Sequence, residues 1–138
     1  METYILEQDV KLFCVPASCF PSGIKKAFEE LKNVHPSIED RDLFGISYGS
    51  GKGIIYKAAA QEAYEGEGEK YGYESLILKK GEYLTQTITE WYKDENRIGK
   101  VFSKLLSTPM LDPNGFCIEW YKSTNEVLCM VRLTTIFA

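Results

Sequence analysis

Ile24-Lys25-Lys26-Ala27-Phe28-Glu29-Glu30-Leu31 and Ile98-Gly99-Lys100-Val101-Phe102-Ser103-Lys104-Leu105 are two copies of one amphipathic pattern. Both fit I-x-K-[AV]-F-x-x-L, in which apolar side chains recur at the spacing of one helix face. The spacing predicts helices over 24–34 and 98–106, and Pro109 ends the second. Two helices with one signature indicate a structural unit that the chain contains twice.

A second repeated segment follows each predicted helix. Phe44-Gly45-Ile46-Ser47-Tyr48-Gly49 aligns with Phe116-Cys117-Ile118-Glu119-Trp120-Tyr121, and each segment begins a predicted β-hairpin. Strand-like sequence also precedes each helix, at 10–15 and at 75–88, the latter interrupted by Lys80-Gly81. The order strand–helix–strand–strand therefore occurs twice.

A polar, glycine-rich connector, Glu65-Gly66-Glu67-Gly68-Glu69-Lys70, separates the two units. The length suits one domain, which we predict over residues 1–138 with repeat halves at about 1–64 and 72–138. The predicted fold class is α+β. Duplicated strand–helix–strand–strand units form an antiparallel sheet, with two helices on one face and a ligand cleft between the pseudo-symmetric halves.

Composition and charge argue against several classes of function. The chain has 138 residues, 16 basic and 20 acidic, for a formal net charge of −4, and it lacks an arginine-rich stripe. Direct nucleic-acid binding is therefore not expected. No apolar run of about 18 residues predicts a membrane span, and the start of the chain lacks a secretory signal. A cytoplasmic location is the default expectation.

The cysteines and the single histidine do not form a metal-binding pattern. No C-x-x-C motif is present, and His35 lies between a predicted helix and a loop. We interpret the cysteines as small apolar residues of strands, and we predict neither a metal ion nor a cofactor. The four cysteines are Cys14, Cys19, Cys117 and Cys129.

The second hairpin provides the candidate site. A turn centred on Thr124-Asn125 places Glu119 opposite Met130 and Tyr121 opposite Leu128. The other face of this hairpin is apolar throughout, so we expect it to pack on the helices. Glu119 is then expected to point away from the helix-packed core.

Two interpretations of the Glu119 face follow. It is either a solvent-exposed surface, with a weak ion pair to Arg132, or the wall of a cleft. Apolar and sulfur side chains around Glu119 are unusual on an open surface and favour the cleft. A carboxylate removed from water there would favour a cation, and aromatic faces add about 0.5–2 kcal/mol of cation–π attraction. The candidate ligand-binding residues are Glu119, Tyr121, Met130, Ser47, Tyr56, Tyr83 and Trp91.

Several segments resemble the GyrI-like family, which includes the effector-binding domains of AraC-type and BmrR-type transcription regulators. They are Lys80-Gly81-Glu82-Tyr83, the helix 98–106 and the strands 117–121 and 127–133. The resemblance implies a duplicated fold with a cleft between the repeats, in which an acidic residue at the position of Glu119 contacts cationic drugs. It also implies an aromatic lining that includes Tyr83 and Trp91. The regulators carry a helix-turn-helix segment, for which this chain has no room.

Three functions are consistent with the sequence. The first is a stand-alone protein that binds small, cationic or amphipathic, drug-like molecules. The second, also implied by the resemblance, is a hydrolase that opens strained cyclopropane-type electrophiles, with Glu119 and either Tyr121 or Tyr56 as base and proton donor. The third is a protein-interaction module that binds gyrase or a regulatory protein partner.

Overall fold

The structure is a computed structural model that describes residues 1–34, 38 and 40–134, except for the side chain of Val34. His35 lies outside the described residues. The elements in chain order are β1 (Glu2–Leu6), β2 (Val10–Pro16), α1 (Ile24–Val34), β3 (Leu43–Ser50), β4 (Gly53–Gln61), α2 (Glu67–Lys70), β5 (Glu74–Leu78), β6 (Gly81–Thr89), α3 (Asn96–Leu105), β7 (Cys117–Tyr121) and β8 (Glu126–Arg132).

All the strands join one eight-stranded sheet in the order β1-β6-β8-β7-β3-β4-β2-β5. Each neighbouring pair is antiparallel. The units β2–α1–β3–β4 and β6–α3–β7–β8 have the same element order, and they meet where β3 pairs with β7. The α+β class with an antiparallel sheet is confirmed, whereas an origin by duplication stays a prediction.

The two faces of the sheet have different partners. One face encloses a core to which both edge strands contribute, Tyr4 from β1 and Leu76 from β5, so the sheet curls around it. On the other face, α1 packs mainly on β2 and β4, and α3 packs mainly on β6 and β8. The central strands β3 and β7 therefore lie between the two helices. Within the described part of the chain, no helix is long and apolar enough to cross a bilayer.

The strand and connector predictions need two corrections. The segment 75–88 forms two strands, β5 and β6, and β6 begins at Gly81 with a left-handed φ of 141°. The connector contains the short helix α2, where Glu67 is 1% exposed. Arg41 donates hydrogen bonds of 2.6 and 2.7 Å to the two carboxylate oxygens of Glu67. This long-range ion pair orders a segment that its composition alone assigns to a loop.

The register of the β7–β8 hairpin differs from the prediction by one residue. Glu119 pairs with Cys129, not with Met130. The loop has three residues instead of two, because the Ser123 hydroxyl accepts hydrogen bonds of 3.2 Å from the amides of Asn125 and Glu126. A shift of one residue moves every side chain of one strand to the opposite face. The prediction that Glu119 points away from the helices is therefore wrong.

Candidate functional site

Glu119 lies near the middle of the sheet, on the face that carries the helices. Its backbone pairs with Gly45 of β3 on one side and with Cys129 of β8 on the other. Cys129 belongs to the cluster under α3, which fixes the face. Glu119 is only 8% exposed. The centre of the candidate site is therefore a buried carboxylate on the sheet, between the areas that α1 and α3 cover.

Two tyrosine hydroxyls donate hydrogen bonds to the same oxygen of this carboxylate. The Tyr56 hydroxyl lies 2.9 Å from Oε1 of Glu119, and the Tyr121 hydroxyl lies 2.5 Å from it. Tyr121 follows Glu119 by two residues on the same face of β7, whereas Tyr56 reaches it from β4 across β3. Among the described residues, no donor is within hydrogen-bond distance of Oε2. One oxygen is thus occupied by phenols, and the other has no protein donor.

Aromatic rings from both halves of the chain surround the two tyrosines. Phe28 of α1 packs edge-to-face on Tyr121, with ring centroids 5.9 Å apart, and on Tyr56, at 6.3 Å. Trp91 lies in a short 3-10 turn after β6, and its ring centroid is 5.2 Å from that of Tyr121. Phe20 packs on Tyr56 at 6.0 Å. The carboxylate is consequently enclosed by rings and not by charged side chains.

The enclosure by aromatic rings shifts the pKa values of Glu119 and of the two tyrosines. Burial raises the pKa of Glu119, and the hydrogen bonds from Tyr121 and Tyr56 offset only part of the shift. In the described residues, no Lys or Arg forms an ion pair with Glu119. Burial and the neighbouring carboxylate raise the pKa of both tyrosines, so their hydroxyls stay protonated donors. The site therefore contains a buried carboxyl group for which the described residues provide no cationic partner.

The structure brings together four of the predicted site residues and places a fifth next to them. Glu119, Tyr56, Tyr121 and Trp91 form one cluster. Ser47 lies two residues along β3 from Gly45, on the same face, and it pairs with Cys117 of β7. Ligand binding by these residues stays a prediction, but their proximity is a property of the fold.

Met130 and Tyr83 lie elsewhere. Met130 is 0% exposed and pairs with Ile118 in the core enclosed by the curled sheet, on the opposite face from Glu119. Tyr83 belongs to the same core, and its hydroxyl donates a 2.6 Å hydrogen bond to the carbonyl of Lys79. The corrected hairpin register explains Met130. The face of Tyr83 follows from the pairing of β6 with β8, which the sequence pattern does not show.

Two residues of the cluster were not predicted. Phe28 is part of the apolar stripe of α1, so its pattern is that of an ordinary core residue. Gly45 is a glycine inside a strand, a signal for close approach of another group. A Cβ at position 45 would lie 2.8 Å from Oε1 of Glu119. The strand glycine is therefore the feature from which the crossing of Tyr56 could have been inferred.

A cavity of about 240 Å³ adjoins this cluster at the end of α3. Ser47 and Cys117 form the part of its wall nearest to Glu119, and Leu106, Leu111 and Phe116 supply apolar surface. Glu119 itself lines neither this cavity nor a second one of about 340 Å³ beside Lys11 and Glu62. Aromatic side chains thus fill the space directly around the carboxylate.

Comparisons with known proteins show the fold and no family. No protein-family model matches the chain, and no curated protein matches it. Three solved structures share the fold over 96% of this chain: an integron cassette protein from the mobile metagenome of Vibrio cholerae (16% identity, 95% of that chain, TM-score 0.69), a hydrolase from Listeria innocua (10%, 90%, 0.63) and SAV2435 bound to tetraphenylphosphonium (9%, 94%, 0.63). None of these names a GyrI-like protein, so that resemblance stays a prediction.

Proposed function

We propose that this protein binds an amphipathic organic cation, whose charge lies against Glu119 and whose apolar groups lie among the surrounding rings. The observation that carries the proposal is the buried Glu119 carboxylate, which two phenols contact and no cationic side chain in the described residues neutralises. An ionised carboxylate in such a place loses hydration that an incoming cation can replace.

The chemistry of the wall supports an organic cation over a metal ion. The wall around Glu119 consists of aromatic rings that pack on one another, those of Phe28, Trp91 and the two tyrosines. Each ring face near a cation contributes about 0.5–2 kcal/mol of cation–π attraction. Among the described residues, no group of three or more His, Cys, Asp or Glu side chains is arranged to hold a metal ion, at Glu119 or elsewhere. A delocalised or quaternary cation with aromatic groups fits this set of side chains.

The fold neighbours are consistent with the proposal. SAV2435, which has the same fold, was solved with tetraphenylphosphonium, an organic cation of this class. At 9% identity this likeness concerns the fold alone, so the argument for binding rests on Glu119 and its rings. We infer that a ligand reaches the carboxylate past the cavity at Ser47 and Cys117, after one of the aromatic side chains turns aside.

Two isosteric ions of opposite charge test the proposal directly. We expect tetraphenylphosphonium to bind in isothermal titration calorimetry and tetraphenylborate to bind much more weakly. Glu119→Gln keeps the shape of the side chain and one acceptor oxygen for the two phenols, and it should lower the affinity for tetraphenylphosphonium at least about tenfold, the effect of roughly 1.4 kcal/mol.

The matched control is Glu126→Gln, which removes an exposed carboxylate from the same hairpin. This variant should bind the cation like the wild-type protein. Equal binding of the two ions, or an equal loss in both variants, would show that size and general charge govern binding and would refute a role for Glu119.

One observation favours a second candidate, a hydrolase that acts on strained electrophiles at the same place. Burial raises the pKa of Glu119 above its ordinary value, which makes its carboxylate a stronger base, and the Tyr121 hydroxyl lies 2.5 Å from it. In this reaction Glu119 would accept a proton from the attacking water, whose oxygen bonds to one ring carbon as a ring C–C bond breaks. The Tyr121 or Tyr56 hydroxyl would donate a proton to the carbon that departs. Three results together would support catalysis over binding alone. The wild-type protein turns over a cyclopropane-type electrophile, Glu119→Gln loses this turnover, and Tyr121→Phe retains binding.

A further inference from the structure

The two tryptophans differ in how their indole N–H groups are satisfied. Nε1 of Trp120 donates a 3.0 Å hydrogen bond to the carboxylate of Asp42. Nε1 of Trp91 is buried, and no acceptor among the described residues lies within hydrogen-bond distance of it. Buried donors without a partner are uncommon in folded proteins, because burial removes their hydration without replacement. The lack of a partner for the Trp91 N–H therefore requires an explanation, whereas the Trp120 N–H has its acceptor in Asp42.

The position of Trp91 points to the ligand site. Its ring packs on Tyr121, whose hydroxyl contacts Glu119. The turn that carries it is well fixed, because the amide of Glu90 donates a 2.6 Å hydrogen bond to the carbonyl of Asn125. Glu90 itself adopts a left-handed conformation with φ of 52°. The unpaired N–H thus belongs to a ring that packs on Tyr121, the residue that donates a hydrogen bond to Glu119.

A second buried group without a partner provides a contrast. The Tyr73 hydroxyl also lacks an acceptor in the described part of the chain, but its ring packs on Phe13, in the cluster beneath α1. Among the described residues, no carboxylate lies within hydrogen-bond distance of that hydroxyl. Tyr73 therefore gives no indication of a ligand, whereas Trp91 combines an unpaired donor with the one buried carboxylate that lacks a countercharge in the described residues.

We propose that the Trp91 N–H donates a hydrogen bond to the bound ligand, which is then an organic cation that also carries an acceptor such as a carbonyl or ether oxygen. The inference rests on the proposed function and deepens it. Oε1 of Glu119 already accepts from two phenols, and no hydrogen bond joins the indole to Oε2. Glu119 selects the charge, the rings select apolar surface, and Trp91 selects ligands that offer an acceptor beside the charge.

A pair of planar isosteres tests this role. (4-Acetylphenyl)triphenylphosphonium carries a carbonyl, and (4-isopropenylphenyl)triphenylphosphonium replaces that oxygen with a methylene group. We expect the wild-type protein to bind the acetyl probe about five-fold more tightly, as for one neutral hydrogen bond. Trp91→Phe should bind both probes equally, and the control Trp120→Phe should keep the preference. No preference in the wild-type protein, or an unchanged preference in Trp91→Phe, would overturn the inference.

Nuclear magnetic resonance provides a second measurement that does not depend on the Trp91→Phe variant folding. The sequence contains two tryptophans, so two indole N–H signals are expected, and Trp120→Phe assigns them. The Trp91 proton should move downfield with the acetyl probe and not with its isostere. An equal downfield shift with both would mean that Trp91 turns to Glu119 on binding, which contradicts the inference. Failure of both probes to bind would instead refute the cation site itself.

Discussion

The hydroxyl of Tyr56 reaches Glu119 by crossing directly over Gly45. A Cβ at position 45 would overlap that hydroxyl and would lie 2.8 Å from Oε1 of Glu119. The three residues lie on the neighbouring strands β4, β3 and β7, so the phenol spans the middle strand to reach the carboxylate. Only a residue without a side chain permits this, and Gly45 is accordingly part of the site.

Gly45→Ala should therefore separate Tyr56 from Glu119. The added methyl group has no room, and we expect the free energy of unfolding to fall by about 1–3 kcal/mol, as in other overpacked cores. Urea denaturation measures this. Gly49→Ala is the matched control, since a Cβ there meets nothing within 4 Å and Gly49 lies on the same strand. Equal stability of the two variants would mean that the close crossing does not constrain the fold.

The stability of the protein should depend on pH through Glu119. Its pKa is raised by burial in the folded state, so the folded protein binds this proton more tightly than the unfolded chain does. The contribution of Glu119 to stability is fully present below its ordinary pKa of 4.5, and it is lost as pH rises through the raised folded value. Ionising the buried carboxylate thus destabilises the fold.

Glu119→Gln cannot ionise, so the difference in unfolding free energy between wild type and variant isolates this effect. We expect the unfolding free energy of the variant minus that of the wild type to increase as the pH rises above 4.5. Thermal or urea denaturation between pH 4 and pH 9 measures the difference. A constant difference over that range would show that Glu119 titrates alike in the folded and unfolded states.

The helices and the first hairpin were predictable because their signals are local. The repeat of apolar residues at helical spacing predicts 24–34 and 98–106, close to α1 (Ile24–Val34) and α3 (Asn96–Leu105). Three glycines at 49, 51 and 53 predict the turn that joins β3 to β4. β1 was missed, because a short strand at the sheet edge depends on pairing with β6, which is distant in sequence.

The site was predictable in part, and the main error comes from one turn. Glu119, Tyr56, Tyr121 and Trp91 were named as candidates from their chemistry, and the fold brings them together. The predicted face of Glu119 and Tyr121 was wrong because it depended on the length of one turn, where the hydroxyl of Ser123 selects three loop residues over two. A side-chain hydrogen bond of this kind has no periodic signal in the sequence.

The ion pair of Arg41 and Glu67 should stabilise the fold by holding the segment between the two units in place. Removing Arg41 takes two hydrogen bonds and the opposite charge from the buried Glu67 carboxylate, so Arg41→Met should lower the free energy of unfolding by about 3–5 kcal/mol. The double variant Arg41→Met/Glu67→Gln should recover part of this loss. Lys93→Met, which removes an exposed ion pair with Glu90, should have little effect. Urea denaturation of the wild type, both single variants (Arg41→Met and Glu67→Gln) and the double variant measures the coupling, and additive losses would contradict it.

Binding of a permanently charged cation should compete with the proton on Glu119. Tetraphenylphosphonium does not titrate, so the pH dependence of its affinity reports the protein. Because the pKa of Glu119 is raised, the affinity should be constant above that pKa and should fall about tenfold per pH unit below it. Calorimetry in phosphate and in Tris, which differ in heat of ionisation, should detect release of the proton. Glu119→Gln should bind weakly at every pH, and a flat wild-type profile with no proton release would place the cation away from Glu119.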